Sequence, residues 1–181
     1  MEVFEHDRNI YSKNWAKSFE RELNSTSILR RLKLRENYRI NSMNLEDIAT
    51  YPSLKDRVTV ITGGGSGIGA SIVERFCEQG SKVYFLDSDE MVSQDLVERI
   101  ATSGGNTPNF IHCDVRNINS LQSVIKTIIT SSGPIRILVN NAARDDRHSI
   151  EEVTPDYFDE RIAVNMRHHF FAAQSVIPDM K

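Results

Sequence analysis

Val58-Thr59-Val60-Ile61-Thr62-Gly63-Gly64-Gly65-Ser66-Gly67-Ile68-Gly69 is the stretch whose reading decides the fold. Val58 to Ile61 is an apolar, β-branched run, the pattern of a parallel strand covered on both faces. Thr62 to Gly69 holds too many glycines to continue a strand or a helix. Beyond it, Ile72, Val73 and Phe76 fall at helical spacing. A strand that breaks into glycines and reopens as a helix is the context in which a glycine motif carries meaning. The N-terminus of a helix presents unpaired N–H groups and a partial positive charge, which suits a pyrophosphate. Glycine lets that phosphate approach the backbone with no Cβ in the way. The spacing is Thr-Gly-x-x-x-Gly-Ile-Gly rather than GxGxxG, with Gly63, Gly67 and Gly69 in the motif places. Ser66 and Ile68 complete the amide-lined mouth. The competing reading is a flexible glycine loop with no ligand, and the flanking strand and helix weigh against it.

Outward from this stretch, strand and helix patterns alternate. Helix patterns cover about Ile68–Gln79, closed by Gly80 as a C-terminal cap, Glu90–Thr102, closed by Gly104-Gly105, and Ile118–Ser131, closed by Gly133-Pro134. Between them lie strand patterns at Val83–Leu86, Phe110–Cys113 and Ile135–Val139. A last helix is expected from Pro155 to about Ile177, with Thr154 as its N-cap. Repeated β-α units of this length predict an α/β, doubly wound parallel sheet of Rossmann type with right-handed crossovers.

Residues 1–44 read differently and are expected to form a tail-like N-terminal extension, disordered or partly helical, ahead of a domain over 45–181. Trp15, Phe19 and Leu23 share a helical face, and Arg30-Arg31-Leu32-Lys33-Leu34-Arg35 is a basic run, read as a solvated tail rather than an acidic-partner site. Met43 is a candidate natural start, which would make the preceding residues an over-read leader.

The chain of 181 residues, 39% hydrophobic and 26% charged with a net charge of −3, has the composition of a soluble domain with a real core. That charge offers no general attraction for nucleic acid or membrane. No apolar run approaches the ~20 residues of a membrane span, and the N-terminus lacks the apolar stretch of a secretory signal. Cys77 and Cys113 read as reduced thiols in a cytoplasmic protein, and no Cys/His spacing predicts a metal site.

Asp87 closes the second strand, about 20 residues after the glycine turn, where an acidic side chain accepts hydrogen bonds from an adenosine ribose. It repels a 2′-phosphate, and Ser88 and Asp89 bring no cation, so NAD is favoured over NADP. A helix-capping Asp is the structural alternative, and both roles can coexist. Asp114-Val115 follows the third strand, where the Asp can accept from an exocyclic amine and Val115 can cover the adenine ring. Asn140-Asn141-Ala142-Ala143 follows the fourth, with amides and small residues where a cofactor passes close to the backbone.

Taken together, Thr62–Gly69, Asp87, Cys113-Asp114-Val115, Asn140–Ala143 and Asn165 resemble the short-chain dehydrogenase/reductase family, over about Leu54 to the C-terminus. Ala143 stands where that family usually has Gly. The resemblance implies a nicotinamide cofactor held by Gly63, Ser66, Gly67, Ile68, Gly69, Asp87, Asp114, Val115, Asn141, Ala142 and Ala143. It also implies a catalytic role for Asn165, holding a water in a proton relay. A narrower resemblance lies in Tyr51–Lys55, Asp145-Asp146-Arg147-His148, and Asp159-Glu160-Arg161 leading to Asn165-Met166-Arg167-His168. These look like bacterial members that oxidise aldoses at C1. Asp145, Asp146, Arg147 and His148 are then substrate candidates, with capping of a loop or pairing to Arg161 and Arg167 a structural alternative of at least equal weight. His168 and His169 are read as packing or surface residues. Met166, Phe170 and Phe171 are read as core or subunit contact, and a homo-oligomer is expected.

The Ser, Tyr and Lys that complete the family's catalytic set have no counterpart here. Tyr51 and Lys55 have the right spacing, but Pro52 and their position before the first strand exclude them, and Tyr157 is followed by Arg161 instead of Lys. The sheet is therefore expected to be incomplete on its C-terminal side, with the fourth strand an apolar edge, and the chain a marginally stable fragment or split reading frame. Two alternatives to aldose oxidation remain open: a polyol, secondary alcohol or 3-oxoacyl substrate, and a non-catalytic nucleotide-binding role.

Overall fold

The computed structural model describes residues 49–180; the N-terminal extension, with its expected helix, basic run and Met43, lies outside the described residues. Four parallel strands form one sheet: β1 (Val58–Thr62), β2 (Lys82–Asp87), β3 (Asn109–His112) and β4 (Ile137–Asn140), in the order β3-β2-β1-β4. The register sets Ile61 beside Phe85 on one side and beside Val139 on the other. The connecting helices are α1 (Gly67–Glu78), α2 (Glu90–Thr102) and α3 (Ile118–Ser132). A helical run follows β4: α4 (Pro155–Ile162), a π-helical segment (Ala163–Arg167) and α5 (His168–Met180).

Alternation along the central strands divides the core into two clusters. Val58, Val60 and Leu86 face Leu121, Ile125 and Ile128 of α3 together with Ala172 and Val176 of α5. Ile61, Val83 and Phe85 face Val73 and Cys77 of α1 and Leu96 and Ile100 of α2. Helices therefore cover both faces of the sheet, as the doubly wound reading requires. All five residues of β1 are buried. Each fully buried side chain of this size contributes about 2 kcal/mol, which makes β1 the most strongly held strand. β4 is an edge strand among the described residues, and its four positions are only half-buried. That is the apolar edge the sequence anticipates.

Most boundaries match expectation within a residue or two. At the end of α1, Gly80 has φ +80°. Its N–H donates to the Cys77 carbonyl, while the Ser81 N–H reaches back to that of Phe76, both at 3.0 Å. This is the Schellman closure that a left-handed glycine allows.

Three details differ from expectation. Cys113 lies just past β3, although its N–H still bonds the Asp87 carbonyl at 2.9 Å. β4 begins at Ile137, two residues later than its apolar run, because Ile135 is buried in the core without joining the ladder. The single long helix is in fact two, separated by the π-helical segment and extending to Met180 with Pro178 inside α5. The widened turn contains Asn165, whose side chain leaves the helix to bond the Arg144 backbone twice, so a contact from outside the helix disturbs its period.

Candidate functional site

The carboxyl ends of all four strands open onto one cleft of ≈ 590 Å³, within the range of a small-molecule or cofactor site. β1 and β4 are neighbours although far apart in sequence, so the cleft lies where the strand order reverses, the usual ligand position in open α/β sheets. One wall is the glycine turn with Asp87 and Ser88, and the other carries Asp114, Val115 and Ala142 to Arg144.

The glycine turn is shaped by close approach. Gly63 has φ +65°, and a Cβ there would meet Ala142 Cα at 2.6 Å. A Cβ on Gly69 would collide with the Gly63 carbonyl oxygen and approach Asn141 Nδ2 to 2.7 Å. Asn141 holds the turn from the far strand, its side-chain amide donating to the carbonyls of Gly63 at 2.8 Å and Thr62 at 3.1 Å. The backbone N–H groups of Asn141 and Ala142 donate to Thr62 Oγ1 at 3.0 and 3.1 Å. Asn141 thus braces the glycine turn while also lining the cleft.

The helix that follows begins open. Ser66 is the N-cap of α1 but makes no side-chain cap bond. By contrast, Asp89, Asn117 and Thr154 cap α2, α3 and α4 by accepting from Val92, Ser120 and Tyr157. The first-turn amides of α1 are left to face the cleft, with exposed Ile68 beside them. Asp87 lies across from them. Its carboxylate accepts from the Gly65 N–H at 2.8 Å and the Asp89 N–H at 3.0 Å, while the helix cap itself is Asp89. A Cβ on Gly65 would approach Asp87 Oδ2 to 3.0 Å and Ser93 Oγ to 2.6 Å. Only glycine leaves room between the turn and this carboxylate.

On the opposite wall, Arg116 grips the Asp114 carboxylate with Nε at 3.0 Å from both oxygens and Nη2 at 2.7 Å. Those bonds hold the Asp114 carboxyl below its usual range and raise Arg116 above its own. Burial pushes the Cys113 thiol up, and that of Cys77 up to about 12, so both remain neutral thiols. Neither cysteine is in a disulfide.

Asp145 to His148 do not line the cleft. Asp146 and His148 are tied to α4 and to each other, and Asp145 is exposed. Asp146 pairs with Arg144 and Arg161, each at 2.8 Å. His148 Nδ1 lies 2.8 Å from the Tyr157 hydroxyl, and Arg161 stacks 4.5 Å over the Tyr157 ring. Arg147 is exposed. Of the pairs weighed from the sequence, Asp146 with Arg161 forms, while Arg167 donates instead to the Arg116 carbonyl at 3.2 Å. Asn165 Oδ1 accepts from the Arg144 N–H at 2.7 Å and Nδ2 donates to its carbonyl at 3.0 Å, so the amide first orients the segment after β4. His168 is fully buried beneath Thr62, in keeping with a packing residue. Met166 and Phe170 are exposed rather than core.

Arg144 and Arg116 enter the cleft without having been singled out from the sequence, and Glu160, noted there only within Asp159-Glu160-Arg161, joins them. Arg144 and Arg116 follow motif residues directly and were legible as neighbours of Ala143 and Val115. Glu160 meets both guanidiniums from α4, at 3.4 and 3.5 Å, and no local pattern announces that.

A family model described as short chain dehydrogenase matches residues 57–181. The chain belongs to the short-chain dehydrogenase family. It is 45% identical over 131 residues to a probable galactose dehydrogenase of Rhizobium meliloti, covering 72% of this chain and 51% of the relative. It is 46% identical over 133 residues to D-xylose 1-dehydrogenase of Caulobacter vibrioides, covering 74% and 52%. Among solved structures, a ligand-free aldohexose dehydrogenase of Thermoplasma acidophilum superposes with a TM-score of 0.61 at 32% identity, over 72% of this chain and 46% of that one. A short-chain dehydrogenase/reductase variant of Serratia marcescens reaches 0.66 at 31%, over 72% and 53%. This short-chain dehydrogenase chain thus spans about half the length of the curated relatives it matches. The family uses a nicotinamide cofactor. No helix of the described residues is long and apolar enough to cross a membrane.

Proposed function

We propose that this chain binds NAD at the mouth of β1 and forms the cofactor half of a dehydrogenase that oxidises C1 of an aldose. The supporting observation is Asp87, whose carboxylate is held by the Gly65 N–H at 2.8 Å and lines the same cleft as the uncapped first turn of α1. The open amides and this carboxylate fit a dinucleotide: pyrophosphate on the amides of Ser66 to Gly69, ribose hydroxyls on Asp87. Asp114 and Val115 border the adenine, and Ala142 and Ala143 leave room for the remainder. NAD, when bound, supplies the hydride acceptor.

The residues of the chain bind and orient. Asn141 and Thr62 keep the glycine turn in shape, and the Asp87 charge disfavours a 2′-phosphate. Asn165 fixes the backbone of Arg144 at the rim and keeps one amide hydrogen for a water or substrate oxygen. Similarity to dehydrogenases of galactose and xylose supports an aldose as substrate. Asp145, Asp146, Arg147 and His148 border the sugar in this reading through a rearrangement of their present pairs. Exposed Phe158, Ile162, Met166 and Phe170 suit a contact between copies, and the neutral, unpaired thiols suit the cytoplasm.

Calorimetric titration of the chain with NAD and NADP tests the cofactor assignment. NAD is expected to bind at least roughly tenfold tighter, and Asp87→Ala to narrow that ratio. Equal or inverted affinities overturn it. For the substrate, a panel of D-galactose, D-xylose, polyols and secondary alcohols is followed by cofactor reduction. With a form extended to the length of the relatives, turnover confined to non-aldoses selects the other dehydrogenase reading, and tight NAD binding without turnover selects a nucleotide-binding role.

A further inference from the structure

Thr62 ends β1, and both it and His168 are fully buried. A hydroxyl has one proton to donate and two lone pairs to accept with. The Thr62 oxygen already accepts from the Asn141 and Ala142 N–H groups. Its proton therefore needs an acceptor, or it becomes an unpaired donor in the core. The nitrogen that meets it is His168 Nε2, at 3.4 Å.

We infer that His168 is a positioning residue: its unprotonated Nε2 accepts the Thr62 hydroxyl proton and fixes the oxygen from which the Asn141–Ala142 turn hangs. The ring proton then resides on Nδ1, beside the Ala163 and Val164 backbone of the π-helical segment, where it has no formed hydrogen bond. Burial, with the His169 ring 4.2 Å away, keeps the imidazole neutral. A protonated Nε2 would set two donors against an oxygen whose lone pairs are both taken. The effect extends to the cleft, because Asn141 holds the Gly63 carbonyl and Gly63 packs on Ala142. His168 reaches the cofactor mouth through Thr62 without lining it. Its consequence for binding rests on the proposed NAD site, but the hydrogen-bond assignment does not.

Long-range proton–nitrogen spectra of the chain read the tautomer, and an Nδ1-protonated ring is expected; an Nε2-protonated ring overturns the inference. Amide exchange then tests the brace. His168→Leu, which keeps bulk but offers no acceptor, is expected to speed exchange at Asn141 and Ala142 by roughly tenfold. His168→Gln, whose side-chain oxygen can accept, is expected to restore near-native protection. A ring acting only as filler predicts that Leu protects as well as Gln, and that result also overturns it. Should the Leu variant fail to fold, native-like exchange in the Gln variant supports the brace and equally fast exchange refutes it. NADH affinity is expected to follow the same order. Wild-type protein that binds neither coenzyme removes the cofactor reading, while the tautomer and exchange results still decide the role of His168.

Discussion

Two regions border the same cleft and are built in opposite ways. The turn from Thr62 to Gly69 is held by backbone and amide hydrogen bonds around a threonine with no exposed surface. The region from Arg144 to Arg161 is held by ion pairs in which the Arg144 side chain is 55% exposed and Asp146 49%. Water competes weakly with the first kind of bond and strongly with the second. The turn is therefore expected to be rigid before any ligand arrives. The charged region can exchange partners, as a substrate wall must if its present pairs are to give way to a substrate.

Gly69→Ala is the strongest attempt to break the rigid side. The added methyl collides with the Gly63 carbonyl and crowds Asn141 Nδ2. Since backbone cannot yield as a side chain does, about 3 kcal/mol of stability and roughly a hundredfold in NADH affinity are expected to be lost. Denaturant unfolding and fluorescence titration measure both, and native-like values would mean the turn is softer than its contacts imply.

Acid attacks the same region through His168, whose pKa is lowered to about 4 from 6.5 by burial and then by His169. The unfolded chain binds this proton more readily than the folded one. Stability from the neutral ring is thus complete above about pH 6.5 and is lost as pH falls toward 4, by on the order of 3 kcal/mol. Unfolding free energies between pH 7 and 4 are expected to show this slope, and His168→Gln to flatten it. An unchanged slope in the variant would assign the acid sensitivity to other groups.

The smallest effect is expected on the charged side. Asp146→Asn removes the partner of both Arg144 and Arg161. The Arg144 pair is exposed, the Arg161 side chain is only 15% exposed, and both guanidiniums keep Glu160, so the loss is expected to stay under about 1 kcal/mol and to be screened by salt. Unfolding at low and high salt should differ little between variant and parent, and a loss of several kcal/mol would erase the contrast between the two regions.

Much of this was readable before any coordinates. Apolar runs ending in Gly, Asp or Asn located β1 to β4 within two residues, since a buried parallel strand must be apolar and must stop where the chain turns. The glycine spacing and Asp87 located the cleft, because a phosphate and a ribose need those groups close together along the chain. The π-helical break escaped, because it follows from an Asn165 bond to a residue 21 positions earlier. The contacts of Glu160 with Arg116 and Arg144 escaped for the same reason, whereas the Asp146–Arg161 pair was among the readings offered.

By itself the sequence determined the doubly wound sheet, its two faces and the mouth at Thr62, for these depend on local periodicity and on groups a few residues apart. Tertiary structure alone decided that His168 lies under the Thr62 hydroxyl, 106 residues away, and that Asp146 and His148 meet Arg161 and Tyr157 instead of the cleft. The physical reason is range. Hydrophobic pattern is written residue by residue, whereas the partner of a buried proton is chosen only once the strands have brought distant groups together.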